Sequence, residues 1–160
     1  MTKEFFKQLF DDHFESVRDY IFYRSGDPEL ATDIAQDVFL KLWEKNFEIS
    51  EKIKSLLFKI ANDIFISQYR KKQSRLKFAL TYNEHNEERS PEDEYEFNEL
   101  KDRYEKALSG LNENQRVVFL LNRRDGQTYK EIAENLGISV KAVEKRMSKA
   151  LAFLRQTLNT

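Results

Sequence analysis

Thr128-Tyr129-Lys130-Glu131-Ile132-Ala133-Glu134-Asn135-Leu136-Gly137-Ile138-Ser139-Val140-Lys141-Ala142-Val143-Glu144-Lys145-Arg146-Met147-Ser148-Lys149 is the stretch whose reading decides the fold. Its first four residues form a capping box, in which the Thr hydroxyl and the Glu carboxylate satisfy backbone amides that the first helical turn leaves unpaired. A helix is therefore expected from Tyr129, with Ile132, Ala133 and Leu136 turned inward. Gly137 stops it, because glycine accepts the left-handed conformation of a tight turn. Ser139 then caps a second helix. Helix, short glycine-bearing turn and helix make a helix-turn-helix unit. On the second helix Val143, Met147, Ala150, Leu151 and Leu154 share one stripe and pack inward. The outer face then carries Lys141, Glu144, Lys145, Ser148 and Lys149, with Arg146 at its border. Long basic side chains reach guanine edges or phosphates, and Glu accepts from the cytosine amino group, so this face suits a DNA major groove. One good base contact there is worth about 1 to 3 kcal/mol.

Upstream of this unit, hydrophobic spacing predicts further helices at about Glu94 to Leu108 and Glu113 to Arg124. They are preceded by a polar break, Thr81 to Asp93, which carries too few apolar residues to offset the entropy of ordering it and reads as a flexible linker. Three helices precede the break. The first, about Lys3 to Arg24, has Phe6, Leu9, Phe10, His13, Phe14, Val17, Tyr20 and Ile21 on or near one stripe. The second starts at Asp27-Pro28, an N-cap followed by proline at the first helical position, and runs to about Lys45 with Leu30, Ile34, Val38 and Leu42 inward. The third spans about Lys52 to Arg75. The expectation is an all-α chain of two small helical domains, 1–80 and 94–160, joined by an acidic linker at 81–93, with the helix-turn-helix in the second.

Composition narrows the function classes. Charged residues make up 34% of the 160 residues, with four Gly and two Pro, which favours long helices over strands. No apolar run is longer than Val117 to Leu121, far short of the roughly 20 residues of a membrane span, and the charged opening Met1-Thr2-Lys3-Glu4 begins no signal peptide. A soluble protein of the cytoplasm is expected. There is no cysteine, which excludes disulfides and thiolate metal sites. The net charge of −1 hides an uneven distribution. Ile64 to Leu80 holds five basic residues and no acidic one, Thr81 to Tyr104 nine acidic and three basic, and Ser139 to the end five basic and one acidic. Two basic patches around an acidic stretch are either two nucleic-acid contacts or ordinary solvated faces.

The segment Tyr129 to Ala133, continuing through Gly137 to Lys141 and on to Val143 to Arg146, resembles region 4 of the extracytoplasmic-function sigma factors. Response regulators of the LuxR type carry similar units, so the first half of the chain discriminates. There, Ala31-Thr32-Asp33-Ile34-Ala35-Gln36-Asp37-Val38-Phe39-Leu40-Lys41-Leu42-Trp43 resembles the region 2 helix that binds the clamp of core RNA polymerase, and Lys54 to Lys72 resembles the helix that follows it.

The resemblance implies a division of labour. Asp33, Gln36, Asp37 and Lys41 form the polar face that docks on the polymerase β′ clamp, with further contacts to the β subunit. Phe47 to Lys54 matches the loop that captures an unstacked base of the −10 element. A flipped base loses stacking worth a few kcal/mol and must recover it in a pocket. Phe47 either stacks on that base or packs in the core, with Ser50, Glu51 and Lys52 nearby for polar contacts. Lys59, Arg70, Lys71 and Lys72 neutralise phosphates. Ser139, Lys141, Glu144, Lys145, Arg146, Ser148 and Lys149 read the −35 element. Four positions depart from the pattern: Leu56 stands where an aromatic is frequent, Asp63 where Asn is, Ser67 where Asp is, and Ala142 where Thr is. The carboxylate of Asp63, on the −10 surface, repels phosphate. The acidic linker either follows polymerase channels otherwise used by nucleic acid or is a solvated tether. The implied partners are core RNA polymerase, promoter DNA and a membrane-anchored anti-sigma factor, with the free chain a monomer and no cofactor.

Three other classes compete with this reading, one of them a pure interaction protein, a sigma-like domain pair that titrates polymerase or an inhibitor. A free-standing regulator would use the N-terminal helices to dimerise and read paired half-sites without polymerase. An enzyme is disfavoured: His13 lies in an apolar stripe, His85 in the linker, and Gly26, Gly110, Gly126 and Gly137 are isolated, so neither a catalytic cluster nor a phosphate-cradling loop can be assembled.

Overall fold

Asp27 accepts hydrogen bonds from the backbone amides of Glu29 and Leu30 and so starts a helix at the proline that follows it. The same economy of local signals recurs along the chain. In the computed structural model, which describes residues 1–45, 47, 49–69 and 91–159, the N-terminal half contains α1 (Lys3–Ser25), α2 (Pro28–Glu44) and α3 (Ile53–Ile64). The C-terminal half contains α4 (Pro91–Gly110), α5 (Glu113–Arg123), α6 (Tyr129–Leu136) and α7 (Val140–Leu158). Among the described residues there is no strand, and no helix is long and apolar enough to cross a membrane.

Two helix boundaries differ from expectation. The third helix does not continue as an α-helix to Arg75: after Ile64 the backbone widens into a π-helical turn, Phe65–Tyr69. The part from Arg70 onward lies outside the described residues. The fourth helix begins at Pro91 instead of Glu94, so the last three residues assigned to the linker are helical, with proline in the first turn where its missing amide costs nothing. Residues 81–90 of that linker also lie outside the described residues.

The core of the N-terminal half is aromatic. Leu30, Ile34, Val38 and Leu42 of α2 are buried as expected. Around them Phe39 meets Phe10 edge-on at 5.2 Å, Phe6 meets Trp43 at 5.0 Å, and Tyr20 stacks on Phe58 at 4.7 Å between ring centroids. The core of the C-terminal half is mainly aliphatic, built from Val117, Val118, Leu121, Ile132, Val143, Met147 and Leu154. At the end of α4, Gly110 lies under the Phe153 ring of α7, where a Cβ would sit 2.9 Å from the ring edge. A side chain there would oblige the ring to shift.

The two halves pack against each other, α1 on α5 and α3 on α6. Arg116, 3% exposed, spans the junction. Its Nε donates to the Tyr23 carbonyl at 2.7 Å, its Nη2 to the Arg24 carbonyl at 2.8 Å and its Nη1 to the Leu111 carbonyl at 3.1 Å. The first two acceptors are carbonyls of the last turn of α1, which have no partner within the helix and carry the negative end of its dipole. Arg116 therefore caps the C-terminus of a helix in the other half. Burial lowers its pKa from the ordinary value while Glu113 opposes the shift.

Candidate nucleic-acid and polymerase interfaces

The helix-turn-helix forms as its sequence dictates. The Glu131 amide donates to Thr128 Oγ1 at 3.1 Å and the Thr128 amide to Glu131 Oε1 at 3.2 Å, completing the capping box. Gly137 adopts φ 69°, in the left-handed region. Ser139 Oγ accepts from the Ala142 amide at 3.1 Å and starts α7. With Val143, Met147, Ala150 and Leu154 buried, Lys141, Glu144, Lys145, Ser148 and Lys149 stand exposed on the opposite side. Ser139 is exposed beside them as the cap, and Ala142 is half-buried. Four of these exposed groups bear charge, three of them positive, and none is engaged in an ion pair among the described residues, so the face is free to meet phosphates and base edges. Arg146 is half-buried at the border, turned toward the N-terminal half.

On α2 the polar residues line one side. Asp33, Gln36 and Lys41 are exposed and Asp37 is half-buried, while the opposite stripe is sealed in the core. Leu40, 54% exposed, interrupts the polar face, and Trp43, 41% exposed, adjoins it. The sequence reading missed both as surface groups. The signal was present: seven residues separate Asp33 from Leu40, two full turns, so the two share a face.

The segment after α2 brings Ser50, Glu51 and Lys52 to the surface ahead of α3. Phe47 is half-buried and packs against the core, which gives the structural one of its two readings a physical basis. Lys59 and Asp63 are exposed on α3, and the Ser67 hydroxyl donates to the Ile64 carbonyl at 3.3 Å. Leu56 is half-buried against the core. Arg70, Lys71 and Lys72 fall outside the described residues.

A cleft of about 580 Å³ opens between the halves. Ser50, Lys52 and Lys59 of the −10 candidates line it from one side, and Arg146 of the −35 candidates, with the turn Leu136 to Ile138, lines it from the other. Across it the Ser55 hydroxyl donates to Asn135 Oδ1 at 3.1 Å, and Asn135 in turn donates to Gln127 Oε1 at 3.0 Å. The two candidate DNA surfaces therefore converge at this junction. His13 is half-buried on α1, and burial, aided by Lys54, lowers its pKa.

A basic-faced helix-turn-helix coupled to a helical module with an exposed polar helix defines a DNA-binding transcription protein. Comparison with known proteins makes this specific. The family model for sigma-70 region 2 matches residues 9–75, and that for sigma-70 region 4 matches residues 101–154. The ferric citrate uptake sigma factor FecI of Escherichia coli is 29% identical over 149 residues, covering 91% of this chain and 86% of that protein. The extracytoplasmic-function RNA polymerase sigma factor SigL of Mycobacterium tuberculosis is 28% identical over 157 residues, covering 95% and 88%. Two solved structures share the fold, each at a TM-score of 0.69 and 24% identity. One is sigma factor RpoE in complex with the anti-sigma factor NepR from Bartonella quintana, covering 99% of both chains; the other is CnrH in complex with the cytosolic domain of CnrY, covering 99% of this chain and 90% of that one. The chain belongs to the sigma-70 family, among its extracytoplasmic-function sigma factors.

Proposed function

We propose that this sigma factor joins core RNA polymerase through the exposed face of α2 and carries it to promoters by reading two DNA elements with its two halves. The observation that carries the proposal is the pairing, in one chain, of a region 2 match with a region 4 match whose second helix turns Lys141, Lys145 and Lys149 to solvent. In this reading Asp33, Gln36, Asp37 and Lys41, together with the exposed Leu40, meet the β′ clamp, and the β subunit contributes further contacts. Ser50, Glu51, Lys52, Lys59, Arg70, Lys71 and Lys72 serve the −10 element, with Phe47 supplying an apolar wall. Asp63 tempers affinity there by repelling phosphate. Ser139, Lys141, Glu144, Lys145, Arg146, Ser148 and Lys149 serve the −35 element. The region 2 unit takes residues 1–80, the linker 81–93, and the region 4 unit 94–160.

Bond-making chemistry belongs to the polymerase, and the chain acts where the polymerase does, in the cytoplasm, as a monomer before it joins core. An anti-sigma factor that grips both halves is the expected inhibitor. Support comes from the two similar structures, both solved with anti-sigma partners, one of them the cytosolic domain of its partner.

Purified chain added to core polymerase on genomic DNA fragments, at fixed salt, is expected to produce specific starts that core alone does not. Replacing Gln36 and Asp37 by Ala is expected to abolish them together with core binding. Tight dimeric binding to DNA without any binding to core would overturn the reading in favour of a free-standing regulator.

A further inference from the structure

The outer side of α7 carries two rows of side chains. At about 3.6 residues per turn, residues four apart lie above one another along a helix, with a drift of about 40°. Val140, Glu144 and Ser148 form one such row, and Lys141, Lys145 and Lys149 form a second about 100° round the axis. All six residues are exposed. The second row is uniformly cationic. The first holds no cation and presents in turn an apolar side chain, a carboxylate and a hydroxyl.

Chemistry separates the partners of the two rows. Lysines in line match the repeating charge of a phosphate backbone, which carries no sequence information. That backbone repels Glu144, whose carboxylate forms no ion pair among the described residues although Lys145 is next to it and Lys141 three positions away. An ionised carboxylate only accepts hydrogen bonds. In the major groove cytosine offers an amino donor alone, whereas adenine sets an acceptor beside its own. Val140 is 42% exposed at the first position of α7, while Val143, one turn on, is wholly buried. The apolar feature of the major groove is the C5-methyl of thymine. Residues at the N-terminal end of a recognition helix are those that reach base edges, and Ser139 fixes this end by accepting from the Ala142 amide at 3.1 Å.

We infer that α7 divides its work between the rows: Val140 reads a thymine methyl and Glu144 a cytosine amino group, while Lys141, Lys145 and Lys149 hold phosphates and leave the sequence unread. Ser148, whose hydroxyl both donates and accepts, discriminates least. The inference deepens the sigma reading above and rests on it. Four residues of helix rise about 6 Å and one base pair about 3.4 Å, so the thymine and the cytosine lie within about two base pairs of each other in the −35 element.

The test takes a promoter that holoenzyme, made from the full chain and core polymerase, uses on genomic fragments. Its −35 window is randomised, holoenzyme selects the duplexes it binds best, and each thymine of the winner is replaced in turn by deoxyuridine, which deletes only the methyl. At one position binding is expected to weaken about fourfold, the weight of one buried methyl. In Val140→Ser the thymine and uracil duplexes should bind alike. Glu144→Gln should move the preference at the cytosine to adenine, because an amide donates as well as accepts. Lys145→Ala should lower affinity for every duplex by the same factor and make the slope of log affinity on log salt shallower by about 0.9. The base preferences are ratios between duplexes on one protein, so a loss of stability leaves them unmoved. A winner without thymine near cytosine, indifference to uracil at every position, discrimination that survives in Val140→Ser, or an unmoved preference in Glu144→Gln would overturn the reading row. A changed base preference in Lys145→Ala would overturn the division of work. Holoenzyme that forms but selects no −35 sequence would overturn both and leave core binding standing, whereas a chain that never joins core would overturn the sigma reading and this inference with it.

Discussion

The two halves of the molecule are stabilised in different ways. Both are capped locally, the C-terminal half by Asn112, Thr128 and Ser139 with Gly137 at positive φ and the N-terminal half by Thr2 and Asp27 with Gly26 at positive φ, and the difference lies in the core, which in the C-terminal half is mainly aliphatic. The N-terminal half depends on rings that meet from distant positions, Tyr20 on Phe58 and Phe10 on Phe39. Its third helix begins at Lys52 without any side-chain cap.

The largest expected effect tests the ring-packed half. Phe58→Ala removes a fully buried ring and its stack on Tyr20, and is expected to cost about 3 to 5 kcal/mol. The single tryptophan, Trp43, lies in this half, so its fluorescence follows that unfolding while far-UV circular dichroism follows both halves. The Trp43 transition should move to lower urea ahead of the dichroism. Coincident shifts would mean that the halves unfold as one unit and would dissolve the contrast. A smaller effect is expected from Thr128→Ala, which deletes the cap of α6 and costs about 1 kcal/mol. The dichroism should register it with Trp43 unmoved, and α7 should lose affinity for DNA only as far as its support loosens.

The smallest effect concerns the junction between the halves. Burial pushes the Asp19 carboxyl up to about 6 from an ordinary 3.8, and Asp125 adds to the rise. Arg18 and Arg124 oppose it and Glu15 reinforces it. Asp125 is itself raised by burial, despite the hydrogen bond from Tyr23 and the nearby Arg124 and Lys54, and its Oδ2 is buried with no hydrogen-bond partner among the described residues. A carboxyl whose pKa is higher in the closed form binds protons more tightly there, so closure is favoured at acid pH and weakens as pH rises through about 6. Energy transfer between a donor and acceptor attached to cysteines placed at the exposed Lys7 and Gln156 should decline over that range, and Asp19→Asn should flatten the decline. A flat wild-type profile would remove these carboxylates from the junction's energetics.

Legibility followed the distance in sequence between a group and its partner. Three caps were readable because cap and helix adjoin in sequence, Asp27 with Pro28, Thr128 with Glu131 and Ser139 with Gly137 just ahead of it, whereas the sequence reading missed Thr2 and Asn112, which cap α1 and α5. The buried stripe of α7 and its charged outer face followed from periodicity alone. The π-helical turn at Phe65 was not legible, since no Pro or Gly marks it and the apolar spacing runs through it unchanged. Nor was Arg116 legible. Within α5 it reads as one more polar residue beside Val117, and its role exists only because the end of α1 arrives from 92 positions away. Tyr23 was missed for the same reason. Its ring lies beyond the stripe that predicts the core of α1, and only the second half supplies the Asp125 that satisfies its hydroxyl. Arg146 was assigned to a DNA face from its place on α7, and the structure adds that it borders the cleft as well.

The cap that Arg116 places on α1 also sets a timetable. During synthesis at about 5 to 20 residues per second, several seconds separate the emergence of the α1 carbonyls from that of the guanidinium that receives them. Throughout that interval the first half must hold together by its rings alone, with the end of its first helix satisfied by water. The nascent chain therefore passes through a stage in which α1, α2 and α3 are complete while no second half yet exists to pack against α1 and α3.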